Sequence, residues 1–138
     1  MKTNSLKGKD FISILDFTRE EIETILSTAT DLKQSFLLNR EHDYLHRKTL
    51  FMIFYNASLR TRNSFEAGMT QLGGHAHFLD EGAIYSPVMK GEQKAKGSEE
   101  IIDSASVLSR MGHGIAIRCF GKAVGFQYGK GNQVIREY

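Results

Sequence analysis

The sequence has no tryptophan, one cysteine and one proline among its 138 residues. A lone cysteine, Cys119, cannot close an intrachain disulfide, so a disulfide-stapled miniprotein is excluded and a buried free thiol in a reducing compartment is expected. Long hydrophobic runs are missing. The longest strongly apolar one, Leu50 to Tyr55, is far shorter than the roughly 20 residues a membrane-spanning helix needs. Met1 to Asp10 is polar and lacks the apolar core of a secretory signal. Runs of five like charges are absent too, and 18 Lys+Arg against 16 Asp+Glu leave a formal charge of only +2. That excess, with no aromatic-lined basic stripe, argues against nucleic acid and against a membrane surface as partners. What remains is 41% hydrophobic and 25% charged, in a chain long enough to bury one core. The expectation is a single soluble, cytoplasmic domain over residues 1–138, its chemistry undecided by composition.

Helix-period and strand-like segments alternate along the chain, which argues for an α/β fold. Ile22, Ile25, Leu26, Ala29, Leu32 and Phe36 recur at helical spacing, and Thr18 with Glu21 forms a capping box at the start of that helix. Phe11 to Leu15, just before it, reads as a further helical turn. Thr49 to Tyr55 is short and continuously apolar, as a strand covered on both faces would be. Phe65, Met69 and Leu72 mark a helix over Arg62 to Leu72, which Gly73-Gly74 stops. His75 to Leu79 reads as a second strand, Glu99 to Met111 as a helix, Gly114 to Cys119 as a third strand, and Asn132 to Tyr138 as the opening of a last helix. Asp80 to Gly97 has no clean period, and its length favours function or mobility over simple linkage. Together these give a three-layer open parallel sheet flanked by helices.

The chemistry concentrates in Phe54-Tyr-Asn-Ala-Ser58-Leu59-Arg60-Thr61-Arg62, between the first strand and the helix after it. Ligands of open α/β sheets bind outside the carboxyl ends of the strands. A helix starting there offers free backbone N–H groups and the positive end of its dipole, which suit an anion. Ser58 and Thr61 add hydroxyls, and Arg60 adds a fork that can hold phosphate in two places. Arg118 closes the third strand and emerges on the same sheet edge. Two cations converging on one crevice call for an anion between them. Taken singly, Ser58 is an ordinary helix cap and Arg118 an ordinary surface charge; their joint placement carries the reading. Arg62, as a first helical residue, is expected to serve structure by pairing with an acidic side chain. His42 and His46 are four apart, and His75 and His77 share one strand face, but no Cys or carboxylate pattern completes a zinc set. Gly129-Lys-Gly131 lacks the third glycine and preceding strand of a dinucleotide fingerprint.

Ser58-Leu-Arg-Thr-Arg62, Ser64-Phe65-Glu66 and Gln71-Leu72-Gly73-Gly74 closely resemble the carbamoyl-phosphate motif of the aspartate/ornithine carbamoyltransferase family. Asp10 to Thr18, Lys96-Gly97, Asp103 to Met111 and Ile115 to Arg118 extend the resemblance over nearly the whole chain. It implies that Ser58, Arg60, Thr61, Arg118 and the Leu59 N–H bind carbamoyl phosphate. Arg60, Thr61 and Arg118 would be the catalytic residues, stabilising the developing oxyanion and the departing phosphate as an amine of an amino acid attacks. No metal or organic cofactor is implied. The family's loop from a neighbouring subunit corresponds to Asp80 to Gly97, with Lys96 or Lys90 as its basic residue and Gln93 as its glutamine, in a homotrimer.

Two departures from the family pattern matter. Leu59 stands where Thr is commonest, as in relatives that resemble N-acylornithine enzymes, so ornithine, N-acylornithine and aspartate types of acceptor all stay open. The family's His-Pro-x-Gln segment and its amino-acid-binding second domain have no counterpart in these 138 residues. The isolated chain is therefore expected to turn over little or no substrate. A non-catalytic anion-binding or oligomerisation module on the same fold is the alternative.

Overall fold

The computed structural model describes residues 6–138. It divides into two compact units, one ending at His42 and the other spanning Asp43–Tyr138.

In the first unit, a short 3-10 turn at Ile14–Asp16 precedes helix α1, Arg19–Leu37. The capping box is formed: the Thr18 hydroxyl accepts from the Glu21 N–H at 3.3 Å and the Glu21 carboxylate from the Thr18 N–H at 2.9 Å. Glu21 is the buried residue of α1 and pairs with Lys9. That ammonium, then the Thr18 N–H, holds the Glu21 carboxyl below the usual carboxylate range.

The second unit is built on three parallel strands in the order β2-β1-β5, with β1 at Thr49–Phe54, β2 at His75–Asp80 and β5 at Gly114–Arg118. In register, Thr49 faces His75 and Leu50 faces Gly114. Alternation along β1 sorts its side chains between two faces. Ile53 and the following Tyr55 join Ile101, Cys119 and Val134 in the core on one face. Helices α3 (Ile101–Met111) and α4 (Lys130–Glu137) supply Ile101 and Val134 to it. Helix α2, Leu59–Gln71, packs against β2 on the other face, where the Arg62 guanidinium lies 3.8 Å from the Phe78 ring centroid. The result is the expected three-layer α/β arrangement. Central β1 reads as a continuous apolar run because helices cover both its faces, and Phe51 to Tyr55 are all buried.

Several boundaries differ from the sequence reading, among them helix α4, which starts at Lys130 rather than Asn132, and three of the differences bear on the site. Helix α2 starts at Leu59 rather than Arg62, because Ser58 caps it, its Oγ accepting from the Thr61 N–H at 3.2 Å. Helix α3 starts at Ile101, because Glu99 and Glu100 belong to strand β4, Ser98–Glu100. The connection from Asp80 to Gly97 is not without regular structure. Its strand β3, Ser86–Val88, pairs in parallel with β4 as a separate two-stranded sheet. Gly73, at φ +78, ends α2 as expected, since that backbone conformation strains any residue with a Cβ. Gly131 is needed for a different reason: a Cβ there would lie 2.3 Å from the Cys119 carbonyl oxygen, so glycine lets α4 approach the end of β5.

Candidate functional site

The carboxyl end of β1 and the start of α2 are joined by residues 55–58 alone. Asn56 fixes this turn. Its side-chain amide donates to the Phe120 carbonyl and accepts from the Phe120 N–H, both at 3.0 Å, clasping the turn to the chain just beyond β5. Ser58 is half-buried and spends its oxygen on the cap. Leu59 opens the helix with its side chain 81% exposed, so its contribution to the turn is its backbone. Arg60 is exposed and Thr61 half-buried, both within the first helical turn, where unpaired N–H groups point out of the helix end.

Arg118, at the end of β5, pairs with Phe54 in register and so shares the sheet face on which α2 lies. Its guanidinium sits 4.6 Å from the Phe120 ring centroid, and its buried Nε has no hydrogen-bond partner among the described residues. A buried guanidinium nitrogen without an acceptor is costly, and an anionic oxygen would relieve that cost. Because β1 and β5 run parallel, α2 and the residues after Arg118 leave the sheet at the same edge.

An opening of about 340 Å³ lies beside the turn on its β2 side, lined by Asn56, Ser58, Arg62, Asp80 and Glu81 among others, and by neither Arg60 nor Arg118. Arg60 points to solvent from the first turn of α2, and Arg118 sits on the far side of β1 from β2, against Phe120. The acidic wall of Asp80 and Glu81 was not anticipated. A strand end followed by Asp-Glu-Gly carries no signal in the sequence that it faces a helix N-terminus. Arg62 does serve structure: it stacks on Phe78 and its Nε lies 3.4 Å from Glu66 Oε2, one turn on.

Residues Lys90, Gln93 and Lys96 are exposed on the connection between β2 and α3. Around Lys90 the connection is tied to α4. Lys130 of α4 pairs with Glu92, and the Lys90 N–H donates to Glu137 Oε1 at 2.6 Å. Lys130, with the Met89 N–H, holds the Glu92 carboxyl below the usual range, while Glu100 at 3.1 Å raises the Lys94 ammonium. In the core behind the site, the Tyr55 and Tyr138 hydroxyls lie 2.6 Å apart, and burial first, then that contact, pushes Tyr55 far above the ordinary phenol range. Cys119 is buried and free, its thiol raised by burial, so nothing marks it as a nucleophile. Among the described residues, no group of three or more His, Cys, Asp and Glu could hold a metal ion, and no helix is long and apolar enough to cross a membrane.

Comparison with known proteins gives a consistent set of likenesses. Residues 9–136 match the family described as aspartate/ornithine carbamoyltransferase, carbamoyl-P binding domain. An ornithine carbamoyltransferase of Halalkalibacterium halodurans is 50% identical over 117 residues, covering 85% of this chain and 34% of that protein. The solved ornithine carbamoyltransferase from Pyrococcus furiosus superposes with a TM-score of 0.74 at 41% identity, over 86% of this chain and 36% of that one. An N-acetyl-L-ornithine transcarbamylase mutant solved with carbamyl phosphate and N-succinyl-L-norvaline gives 0.80 at 32% identity, over 94% of this chain and 39% of that one. The chain thus spans about a third of the length of the curated relatives it matches.

Proposed function

Because the chain belongs to the aspartate/ornithine carbamoyltransferase family, through its carbamoyl-phosphate-binding domain, we propose that it is the carbamoyl-phosphate-holding part of an enzyme carbamoylating an amine of an ornithine-type amino acid. The observation that carries this reading is the turn itself: a capped helix N-terminus with Ser58, Arg60 and Thr61 at the carboxyl end of β1, on the same face and edge as Arg118 with its unpartnered Nε. The relatives' names favour ornithine and N-acetylornithine over aspartate as the acceptor class.

In this reading the phosphate of carbamoyl phosphate lies against the N–H groups of the α2 start, including that of Leu59, and against the Ser58 and Thr61 hydroxyls. Arg60 and Arg118 supply the compensating charge. The neutral amine attacks the carbamoyl carbon, a C–N bond forms, the C–O bond to phosphate breaks, and inorganic phosphate leaves carrying the proton the amine nitrogen gives up. Arg60, Thr61 and Arg118 stabilise the charge that builds on the carbonyl oxygen and the leaving group, and they need little reorganisation because strand and cap already hold their backbones. The Asp80 to Gly97 connection, with Lys96 or Lys90 and Gln93, completes the site of a neighbouring copy in a homotrimer. Acceptor binding belongs to a second domain in this family, so these 138 residues alone turn over little or no substrate.

Isothermal titration of the chain with carbamoyl phosphate and, separately, with inorganic phosphate tests this. Carbamoyl phosphate should bind tighter, and Arg60→Ala and Arg118→Ala should each weaken it at least tenfold. Equal weak binding of both anions, unchanged by either substitution, would replace this reading with a non-catalytic anion-binding or oligomerisation module. Formation of citrulline by the isolated chain would overturn its assignment as an inactive half.

A further inference from the structure

His75 and His77 stand at the opposite end of β2 from the turn just described, on its first and third residues. Alternation puts them on one face of the sheet, and the Arg62 stack on Phe78 identifies the other face as the one α2 covers. Both side chains are exposed, and β2 is an edge strand, so one flank of the pair is open to solvent. Their ring centroids are 4.7 Å apart and their planes nearly perpendicular, at 87°.

That separation has a chemical meaning. An imidazole nitrogen binds a zinc-like ion at about 2.0–2.1 Å, which places the ring centroid roughly 3.2 Å from the metal. Two such rings on adjacent positions, at the roughly 90–110° angles of tetragonal or tetrahedral coordination, have centroids about 4.5–5.2 Å apart. The observed centroid separation of 4.7 Å falls inside that window.

The backbone under the pair is fixed as well. The His75 N–H donates to the Lys48 carbonyl at 2.9 Å, and Thr49 and Phe51 of β1 face His75 and His77 in register. The His77 ring also rests 5.3 Å from the buried Phe51 ring, which limits its swing. Binding therefore orders few new torsions, which is the condition for two ligands to suffice.

We infer that His75 and His77 form a two-ligand site for a borderline divalent transition-metal ion of the zinc, nickel and copper class, with water in the remaining positions. The sequence spacing alone leaves the pair as surface histidines, since no third protein ligand completes a closed set. Ring separation, shared exposure and the braced backbone are what the structure adds. The site is open, of modest affinity, and independent of the carbamoyl-phosphate reading, because it occupies the other end of the sheet.

Titration of the chain with zinc chloride, followed by calorimetry and by the imidazole nitrogen resonances, tests the inference. One equivalent should shift the His75 and His77 nitrogens together, and His75→Gln and His77→Gln should each weaken binding at least tenfold. Both positions are exposed, so melting temperature should hold and verify that the variants fold. His42→Gln and His46→Gln, which remove the two histidines four apart in sequence, should leave binding unchanged. Absence of binding in the unmodified chain, full affinity in His75→Gln or His77→Gln, or loss in the His42 or His46 variants would each overturn the assignment.

Discussion

The chain leaves β1 and enters α2 through residues 55–58, whereas it leaves β2 and takes residues 81–100 to reach α3. Both connections start at the same edge of one parallel sheet, yet they are held by different physics. The short one hangs from a buried strand, is capped by Ser58, and is clasped by Asn56 to the backbone of Phe120. The long one is held by ion pairs among partly exposed side chains, Glu92 with Lys130 and Lys94 with Glu100, besides its small β3–β4 sheet. Such pairs contribute little and exchange readily with water. The difference is one of restraint: the short connection is fixed by buried packing and backbone hydrogen bonds, the long one by pairs that water can replace.

This contrast can be broken most severely from beneath the short connection. Met52 is fully buried in β1, so Met52→Ala should cost about 2–5 kcal/mol by denaturant unfolding, with anion affinity falling as the turn loses its floor. Asn56→Ala removes both hydrogen bonds of the clasp and should cost about 1–2 kcal/mol, with faster amide exchange at Phe120 as the direct readout. Ser58→Ala should cost about 1 kcal/mol through the lost cap, measured in the same unfolding series.

The smallest effect belongs to the long connection. Glu92→Gln should leave the melting temperature unchanged while raising protease cleavage within residues 89–94. The same pair predicts a pH response. Because Lys130 and the Met89 N–H lower the Glu92 carboxyl, its contribution is present above the ordinary carboxylate range and lost as acid titrates it. The Met89 amide, which donates to Glu92 at 3.0 Å, should report a midpoint below that of an unpaired glutamate. An ordinary midpoint would show that Lys130 does not hold the connection in solution.

Much of this was legible in the residues because the relevant signals are local. Thr18 with Glu21 marked the start of α1 through a reciprocal cap that needs no tertiary partner. The continuous apolar run of β1 announced a strand covered twice, and Ser58 to Thr61 announced donors at a helix start. What stayed hidden depends on distant partners. Strands β3 and β4 have three residues each, too few to show a period, and exist through their pairing with one another. Asn56 is an unremarked polar residue until Phe120, 64 positions later, comes to lie beside it. The acidic wall of Asp80 and Glu81 requires knowing that β2 lies next to β1 and not beyond β5. For the same reason, the sequence could place Arg60 and Arg118 on one edge but could not tell that the opening beside the turn lies on the β2 side.

The all-parallel sheet has a kinetic consequence. No two of its three strands can form a hairpin: Thr49 must find His75, and Leu50 must find Gly114, 64 positions away. Each pairing waits on a long loop closure, so the sheet should form slowly relative to its helices. On a ribosome adding about 5–20 residues per second, β1 emerges roughly 3–13 s before the strand that covers its second edge. During that interval Leu50-Phe-Met-Ile-Phe-Tyr55, uncharged and without proline, keeps one edge unpaired and the face that α3 and α4 later cover bare. The segment that anchors the site most firmly in the finished protein is thus the one most prone to join a neighbouring chain while the protein is being made.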